Sequence, residues 1–408
     1  MLDLHSPYKL KNGVTIKNRI VKSAMSEQLG DAHNNPSAGI THLYQRWAQG
    51  GAGLSITGHI MVDRNALSEP GNIVLDEQSD GIAFSAWAKA TVANGKHIWP
   101  QLNHPGKQSP NFLSTQPVAP SAIPLEGAIG NNFRMPRALT DAEIRDIVGK
   151  FATSARLAKE FGFTGVQIHG AHGYLINQFL SPRHNHRNDQ WGGSLENRMR
   201  FLLEIYRAIR KKVGEKFPVA VKLNSADFMK GGFTEEESMQ VVKTLANEGI
   251  DLIEISGGSY EKTAFIDGTT QKESTRRREA YFLEYAEQVR HVTDVPLLVT
   301  GGFRSRQAME NALQKNSTDF IGLARSLAID PDFPNKLLNQ PSSRIHIPAR
   351  TTGVSLLDRV VMIDVLWYQQ QMARIANKLE PKPNMSEWAV LWHTFRSIGL
   401  HVFKRLRA

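Results

Sequence analysis

Apolar positions along this chain gather in short β-like runs, most of them followed by a stretch with helical period. The runs fall at residues 20–23, 54–57, 97–101, 165–169, 219–224, 252–256, 296–300 and 320–322. Strands alternating with helices imply a parallel sheet. Eight such units over about three hundred residues predict a closed (β/α)₈ TIM barrel, of the α/β class, rather than an open doubly wound sheet. Helix starts are marked as well. Thr140, with Glu143 three residues on, forms a capping box, and Ser194 opens a long amphipathic segment through Arg210.

Two stretches break the alternation. Residues 103–139 form a loop far longer than the usual βα connection, carrying Pro105, Pro110, Pro117, Pro120, Pro124 and Pro136. Loops this long inside compact domains are usually lids or binding loops. This one leaves the C-terminal end of the third strand, where barrel chemistry sits. The strand pattern then stops near Leu338. Residues 1–340 are therefore read as the barrel and 341–408 as a helical C-terminal extension.

Within the extension, residues 356–379 are helical, and Pro381 and Pro383 break the chain after them. From Trp388 an apolar stripe continues through Leu391, Trp392, Phe395, Ile398, Val402, Phe403 and Leu406, with Arg396, His401, Lys404, Arg405 and Arg407 between. This basic amphipathic helix is expected to dock on the barrel or on a neighbouring subunit of a homo-oligomer. The second reading lays it on an anionic membrane as a peripheral contact.

The last two strands run into small residues. The seventh leads to Thr300-Gly301-Gly302-Phe303-Arg304 and the eighth to Gly322-Leu323-Ala324-Arg325-Ser326. Barrels often bind phosphate at these two places. Backbone N–H groups can close on phosphate oxygens there, and Arg325 can add a bidentate charge-assisted contact. Either motif alone fits a tight turn with a surface arginine; the pair on consecutive strands favours phosphate. No G-x-G-x-x-G occurs, so a mononucleotide such as FMN fits better than a Rossmann-bound dinucleotide.

The fourth strand ends in Gln167-Ile168-His169-Gly170-Ala171-His172-Gly173-Tyr174. Period-2 alternation turns Val166 and Ile168 to the helices, and Gln167 and His169 to the barrel axis. His169 and His172 then converge where substrate would sit, with Tyr174 close behind. Imidazoles can donate hydrogen bonds to a carbonyl oxygen, and a tyrosine can supply a proton. A metal site competes, but no third ligand stands beside the pair and a turn separates them, so none is expected. In the fifth strand the same alternation turns Lys222 and Asn224 inward. A buried lysine needs an anionic partner, and a reduced flavin, negative around N1 and O2, is one. A solvated lysine at a strand end is the plain alternative. Gln101 can read a flavin's pyrimidine edge through its amide.

Composition narrows the classes. With 41% hydrophobic and 22% charged residues, the chain has the make-up of an ordinary globular protein. It has no cysteine, which excludes disulfides, thiolate zinc sites, cysteine-ligated iron–sulfur clusters and any cysteine nucleophile. Asp3, His5, Lys9, Lys11 and Lys17 are scattered through the first twenty residues with no apolar run behind them, arguing against a cleaved signal peptide. No apolar run approaches the roughly 20 residues of a membrane span. A cytoplasmic protein is expected. The net charge of +10 favours anionic partners such as nucleotides or phosphates, and by itself also nucleic acid.

The strings 168–175, 178–182 (Gln-Phe-Leu-Ser-Pro) and Trp191-Gly192-Gly193-Ser194-Leu195-Glu196-Asn197-Arg198 resemble the signature stretches of the old yellow enzyme family. The likeness runs from about residue 7 to 340, through Asn18-Arg19-Ile20-Val21, Gln101-Leu102-Asn103-His104-Pro105-Gly106 and Val299-Thr300-Gly301-Gly302. The resemblance implies an FMN barrel in which NADH or NADPH reduces the flavin and leaves. Hydride then passes from the flavin to the β-carbon of an activated alkene, so an enone-like small molecule is the expected partner. It implies that His169 and His172 hold the substrate carbonyl and that Tyr174 protonates the α-carbon. Lys222 and Gln101 would contact the flavin ring, and Gly301, Gly302, Ala324 and Arg325 its phosphate. Ala24, Met25 and Ser26 would lie along the isoalloxazine, with Gly58 near its edge. Departures are Ala24 where many members have proline, Ser26 where they have threonine or cysteine, and Ala324 where glycine is usual. The branch with a cysteine-ligated cluster and added nucleotide-binding domains is excluded by the missing cysteines and the length.

Two other classes remain in view. A tRNA dihydrouridine synthase is also an FMN barrel and would suit the basic charge. It resembles a pattern with a catalytic cysteine and an RNA-binding module, so no nucleic-acid partner is expected. A non-catalytic FMN- or membrane-binding protein would not need the His–His–Tyr set.

Overall fold

The structure, a computed structural model, describes residues 2–93, 95–126, 130–258, 282–354, 357–358 and 361–405, the last nine as backbone alone. Eight strands of one parallel sheet form its ring: β1 Ile20–Lys22, β2 Leu54–Met61, β3 His97–Asn103, β4 Val166–Gly170, β5 Val219–Asn224, β6 Leu252–Ser256, β7 Leu297–Thr300 and β8 Phe320–Leu323, with the two-residue strand Ile73–Val74 added beside β2. β8 pairs with β1 and β1 with β2, so the sheet closes into a (β/α)₈ barrel. Around it stand α1 Ala38–Gln49, α2 Gly81–Val92, α3 Asp141–Glu160, α4 Leu195–Val213, α5 Glu235–Asn247, α6 Leu283–Arg290 and α7 Arg306–Gln314. Thr140 caps α3 in the expected box with Glu143, and Ser194 caps α4 by accepting from the Asn197 N–H. Each cap satisfies an N–H that the helix cannot, a contribution of about 1 kcal/mol.

Alternation along the strands divides the core into two layers. Val166, Ile168, Val219, Val221, Leu223, Ile253 and Ile255 face the helices and join the large outer core. Val21, Leu54, Ile56, Trp99, Ala220, Leu252, Leu298 and Phe320 fill the N-terminal half of the barrel. The hairpin of Tyr8–Lys9 and Thr15–Ile16 closes that end with Leu10 and Ile16. Above this plug the inward positions are polar. The barrel is therefore sealed and apolar below, and chemically equipped above.

β2 departs from simple alternation. Ile56 pairs with Trp99, but His59 pairs with Gln101, so β2 takes three steps against two on β3. This β-bulge reverses the parity: Leu54 and Ile56 point inward, whereas Ile60 and Val62 beyond it belong to the outer core. His59 is thereby turned toward the mouth of the barrel.

The long loop after β3 is anchored rather than loose. Val118–Ala119 pairs with Arg137–Ala138, the Lys107 ammonium meets His184 Nδ1 at 3.0 Å, and the Gln108 amide donates to the His172 carbonyl at 3.1 Å. In the extension, α8 Ile363–Ala376 packs on α1, and its Trp367, Met372 and Ile375 enter the main core. The expected helix over 356–379 is described only in part. α9 Glu387–Arg405 leans on α8 through Val390 and Leu391, while Trp388, Trp392 and Phe395 are exposed. Of the remaining expected stripe positions, the side chains of Ile398, Val402 and Phe403 and the whole of Leu406 lie outside what is described, as do the basic side chains after Arg396. Among the described residues no helix is long and apolar enough to cross a membrane.

Candidate active site

One hydrogen-bonded ring occupies the polar half of the barrel. Its hub is Glu254 on β6, fully buried. Glu254 Oε1 lies 3.0 Å from Lys222 Nζ and accepts from the Thr300 hydroxyl at 2.7 Å. Its other oxygen accepts from the Gln167 amide at 2.7 Å, and Gln167 in turn accepts from the Gln101 amide at 2.7 Å. Ser23 continues the ring to Thr300 at 2.7 Å. Gly322 must lack a side chain here, because a Cβ would sit 1.9 Å from the Thr300 hydroxyl. Lys222 thus points inward as alternation predicts, and Gln101 joins the same network, but the anion that Lys222 meets is Glu254.

The turn after β4 carries His169, His172 and Tyr174 into one cluster. The rings of His169 and His172 meet edge to face with centroids 5.1 Å apart, and those of His169 and Tyr174 at 4.9 Å. His172 holds a left-handed backbone (φ 61°), a conformation few non-glycine residues adopt. Asn224 supports it by accepting from the His172 N–H at 3.2 Å, and Asn177 by accepting from the Gly173 N–H at 2.7 Å. Such local strain, held in place by its surroundings, is typical of functional sites. His169 Nδ1 accepts from the Ala171 N–H at 3.4 Å, which leaves Nε2 to carry the proton outward. His172 Nε2 meets the Ser256 hydroxyl at 2.7 Å.

Both imidazoles are held neutral. Burial pushes His169 well below its ordinary value, and the His172 ring, Lys222 and His59 push the same way. His172 is lowered by burial, then by Lys222 and His59. Neutral imidazoles present one N–H donor each, suited to a carbonyl oxygen on which negative charge develops.

The first loop lies against β2. Glu27 accepts from the Gly58 N–H at 3.1 Å, from the Tyr44 hydroxyl, and from Lys22 Nζ at 3.3 Å. A Cβ on Gly58 would lie 2.0 Å from the Glu27 carboxylate, so packing of this buried acid requires glycine. The Ser26 hydroxyl donates to Glu69, whose other oxygen accepts from the Gln28 amide at 2.7 Å. Ala24 and Met25 are partly buried beside the two cores. At the ends of β7 and β8, Gly301 and Gly302 take φ of 115° and 91°, open only to glycine without strain. Ala324 breaks the backbone into the short helix Arg325–Ile329. Arg325 reaches Asp364 of α8 at 3.2 Å, so the extension braces this arginine.

These residues suit FMN. Glycines with positive φ and a partly exposed arginine stand at the ends of the paired strands β7 and β8. Asn103, two residues beyond Gln101, has both amide atoms buried and unpartnered among the described residues. That is polar capacity a bound ring can use. Sequence reasoning missed Glu254, Glu27, His59 and Glu69. Glu254 was accessible to the same alternation that found Lys222; the other three depend on the bulge and on loop packing.

Comparison with known proteins agrees. The model of the NADH:flavin oxidoreductase / NADH oxidase family matches residues 3–342. An NADH-dependent flavin oxidoreductase, iliE, of Hypocrea jecorina is 39% identical over 83% of this chain and 90% of its own length. Among solved structures, an old yellow enzyme homologue from Zymomonas mobilis superposes with a TM-score of 0.72 and 26% identity, covering 85% of this chain and 95% of its own. A 2-naphthoyl-CoA reductase superposes with a TM-score of 0.77 and 27% identity over 82% of this chain; the chain spans 52% of that enzyme.

Proposed function

This chain belongs to the NADH:flavin oxidoreductase / NADH oxidase family, that of the old yellow enzymes, and on that footing we propose that it reduces the C=C bond of α,β-unsaturated carbonyl compounds. It is an FMN-dependent oxidoreductase with NADH or NADPH as reductant. When bound, FMN accepts hydride from the nicotinamide and supplies it to the alkene. The chain's own residues do the rest. In this reading residues 1–340 hold cofactor and chemistry, and residues 341–408 brace them.

Lys222, steadied by Glu254, and Gln101, steadied by Gln167, hold the flavin ring from the barrel floor. Gly301, Gly302, Ala324 and Arg325 would hold its phosphate, with Ala24, Met25 and Ser26 along the isoalloxazine and Gly58 near its edge. His169 and His172 donate N–H hydrogen bonds to the substrate carbonyl. They stabilise the charge that grows on its oxygen as hydride arrives at the β-carbon. Tyr174 gives its hydroxyl proton to the α-carbon. The convergence of two neutral imidazoles with a tyrosine on one turn carries this reading. Tyr174→Phe tests it. Stopped-flow measurement should show the alkene half-reaction slowed by about 10²–10⁴-fold, the usual worth of a positioned proton donor, with the nicotinamide half-reaction intact. Equal slowing of both halves would mean general damage and no donor role.

A further inference from the structure

His59 belongs to none of the strings that mark the family resemblance, yet it sits directly behind Tyr174. Its Nδ1 lies 3.5 Å from the Tyr174 hydroxyl, and the two rings meet edge to face with centroids 5.5 Å apart. Its Nε2 lies 2.9 Å from Glu69 Oε1 and 3.1 Å from the Ser68 hydroxyl. The pair is largely buried, with side chains 9% and 15% exposed. Glu69 is fixed in turn by the Gln28 amide, the Ser26 hydroxyl and Asn72, whose side chain also accepts from the Glu69 N–H at 3.0 Å. A bulge that turns His59 inward and a carboxylate held at four points are more than packing of a ring requires.

We propose that His59, held by Glu69, is the proton relay behind Tyr174, returning a proton to the tyrosine oxygen whenever Tyr174 gives its own to the substrate. The inference rests on the proposed role of Tyr174 as proton donor. With a proton on each nitrogen, the ring donates from Nε2 to Glu69 and from Nδ1 to the tyrosine oxygen. In that state the Tyr174 hydroxyl directs its own proton at the α-carbon. As the new C–H bond forms, the tyrosine O–H breaks. The Nδ1–H bond breaks as the tyrosine O–H is remade, and water reprotonates the imidazole. One proton passes from solvent to the α-carbon per turnover, with no electrons moved in the relay.

Glu69 holds Nε2, and Glu27 lines the same small cavity between the first loop and β2. His169, His172 and Lys222 stand across the mouth of the barrel. Tyr174 contacts Nδ1.

The test uses the FMN-loaded enzyme and an enone, with the two half-reactions followed separately from pH 5 to 9. His59→Gln keeps an amide that can donate to Glu69 but has no acidic proton to pass on. The alkene half-reaction should slow on the order of 10-fold, a part of what the donor itself contributes, and its pH profile should change. Nicotinamide oxidation should be unchanged. Glu69→Gln, which keeps the imidazole, should slow the same half-reaction and change its pH profile. The double variant Tyr174→Phe/His59→Gln should be no slower than Tyr174→Phe, because His59 acts only through the tyrosine. A readout without turnover is the ¹⁵N NMR chemical shift of His59 Nδ1, which should change in Tyr174→Phe. A slow Tyr174→Phe beside a His59→Gln with normal rate and an unaltered pH profile overturns the relay alone, as does additive loss in the double variant. A normal alkene half-reaction in Tyr174→Phe overturns the donor role and the relay with it.

Discussion

Glu254→Gln removes the carboxylate that Lys222 meets inside the barrel. The two groups are 3.0 Å apart, with side chains 5% and 0% exposed, so neither charge has bulk water to fall back on. Breaking such a pair from one side costs about 3–5 kcal/mol, because the surviving charge stays desolvated. Glutamine matches glutamate in volume, so no cavity term enters. Its carbonyl can still accept one of the two hydrogen bonds that reach Glu254 from Thr300 and Gln167 at 2.7 Å. Its amide, however, must then face either the Lys222 ammonium or the Gln167 amide, both donors. The expected loss therefore sits in the upper part of that range. Lys222→Met leaves the opposite charge, but one that keeps both hydrogen bonds, so it should cost less, about 3 kcal/mol. The double variant removes both charges and should recover on the order of 1–3 kcal/mol against the sum of the single losses. Urea unfolding at pH 7, with and without FMN, measures all three. A Glu254→Gln midpoint equal to wild type, or strict additivity, would refute the idea that Glu254 is the countercharge on which Lys222 depends.

Replacing His169 and His172 together should weaken binding of phenols and enones and slow the alkene half-reaction. Loss of one oxyanion donor alone costs about 2.7–4 kcal/mol, and normal enone turnover in the double variant would contradict the assignment. Folding stability should fall steeply in mild acid. Burial pushes His104 down to about 4 and His184 to about 3, and holds His169 well below the ordinary range. These rings stay neutral in the folded protein while the unfolded chain takes up protons below pH of about 6.5. The stability is complete above that pH and is lost as pH falls toward the folded values. Three such groups together give about 4 kcal/mol per pH unit. Urea midpoints at pH 7, 6 and 5 check the slope, and equal midpoints would count against it.

Much of this site could be read from the sequence because barrels obey two simple rules. Period-2 alternation correctly turned Gln167, His169 and Lys222 inward, since β4 and β5 run without a break in their own pairing. The glycines after β7 take the positive φ that their pairing in sequence suggested. Alternation alone could not have placed His59 on β2, for a physical reason. One added residue between Ile56 and His59 reverses every side chain after it, and no local composition announces a bulge. The same holds for Glu69, since only the folded loop brings residue 69 against residue 59. Asp364 was equally invisible, because its contact with Arg325 joins residues 39 apart across two elements. In the extension the apolar stripe predicted a docked helix. The fold buries Val390 and leaves Trp388, Trp392 and Phe395 exposed, since α8 offers α9 only a narrow seat.

The central claim is that FMN in this barrel delivers hydride to activated alkenes. An anaerobic absorption spectrum of the purified protein tests it in one cuvette. The protein should show the visible flavin band, as isolated or after reconstitution with FMN, and NADH or NADPH should bleach it. Adding an enone such as 2-cyclohexenone, still without oxygen, should restore the colour and yield one saturated ketone per flavin. A protein that takes up no FMN, or one whose bleached flavin recovers its colour with oxygen but with no enone, would contradict the account.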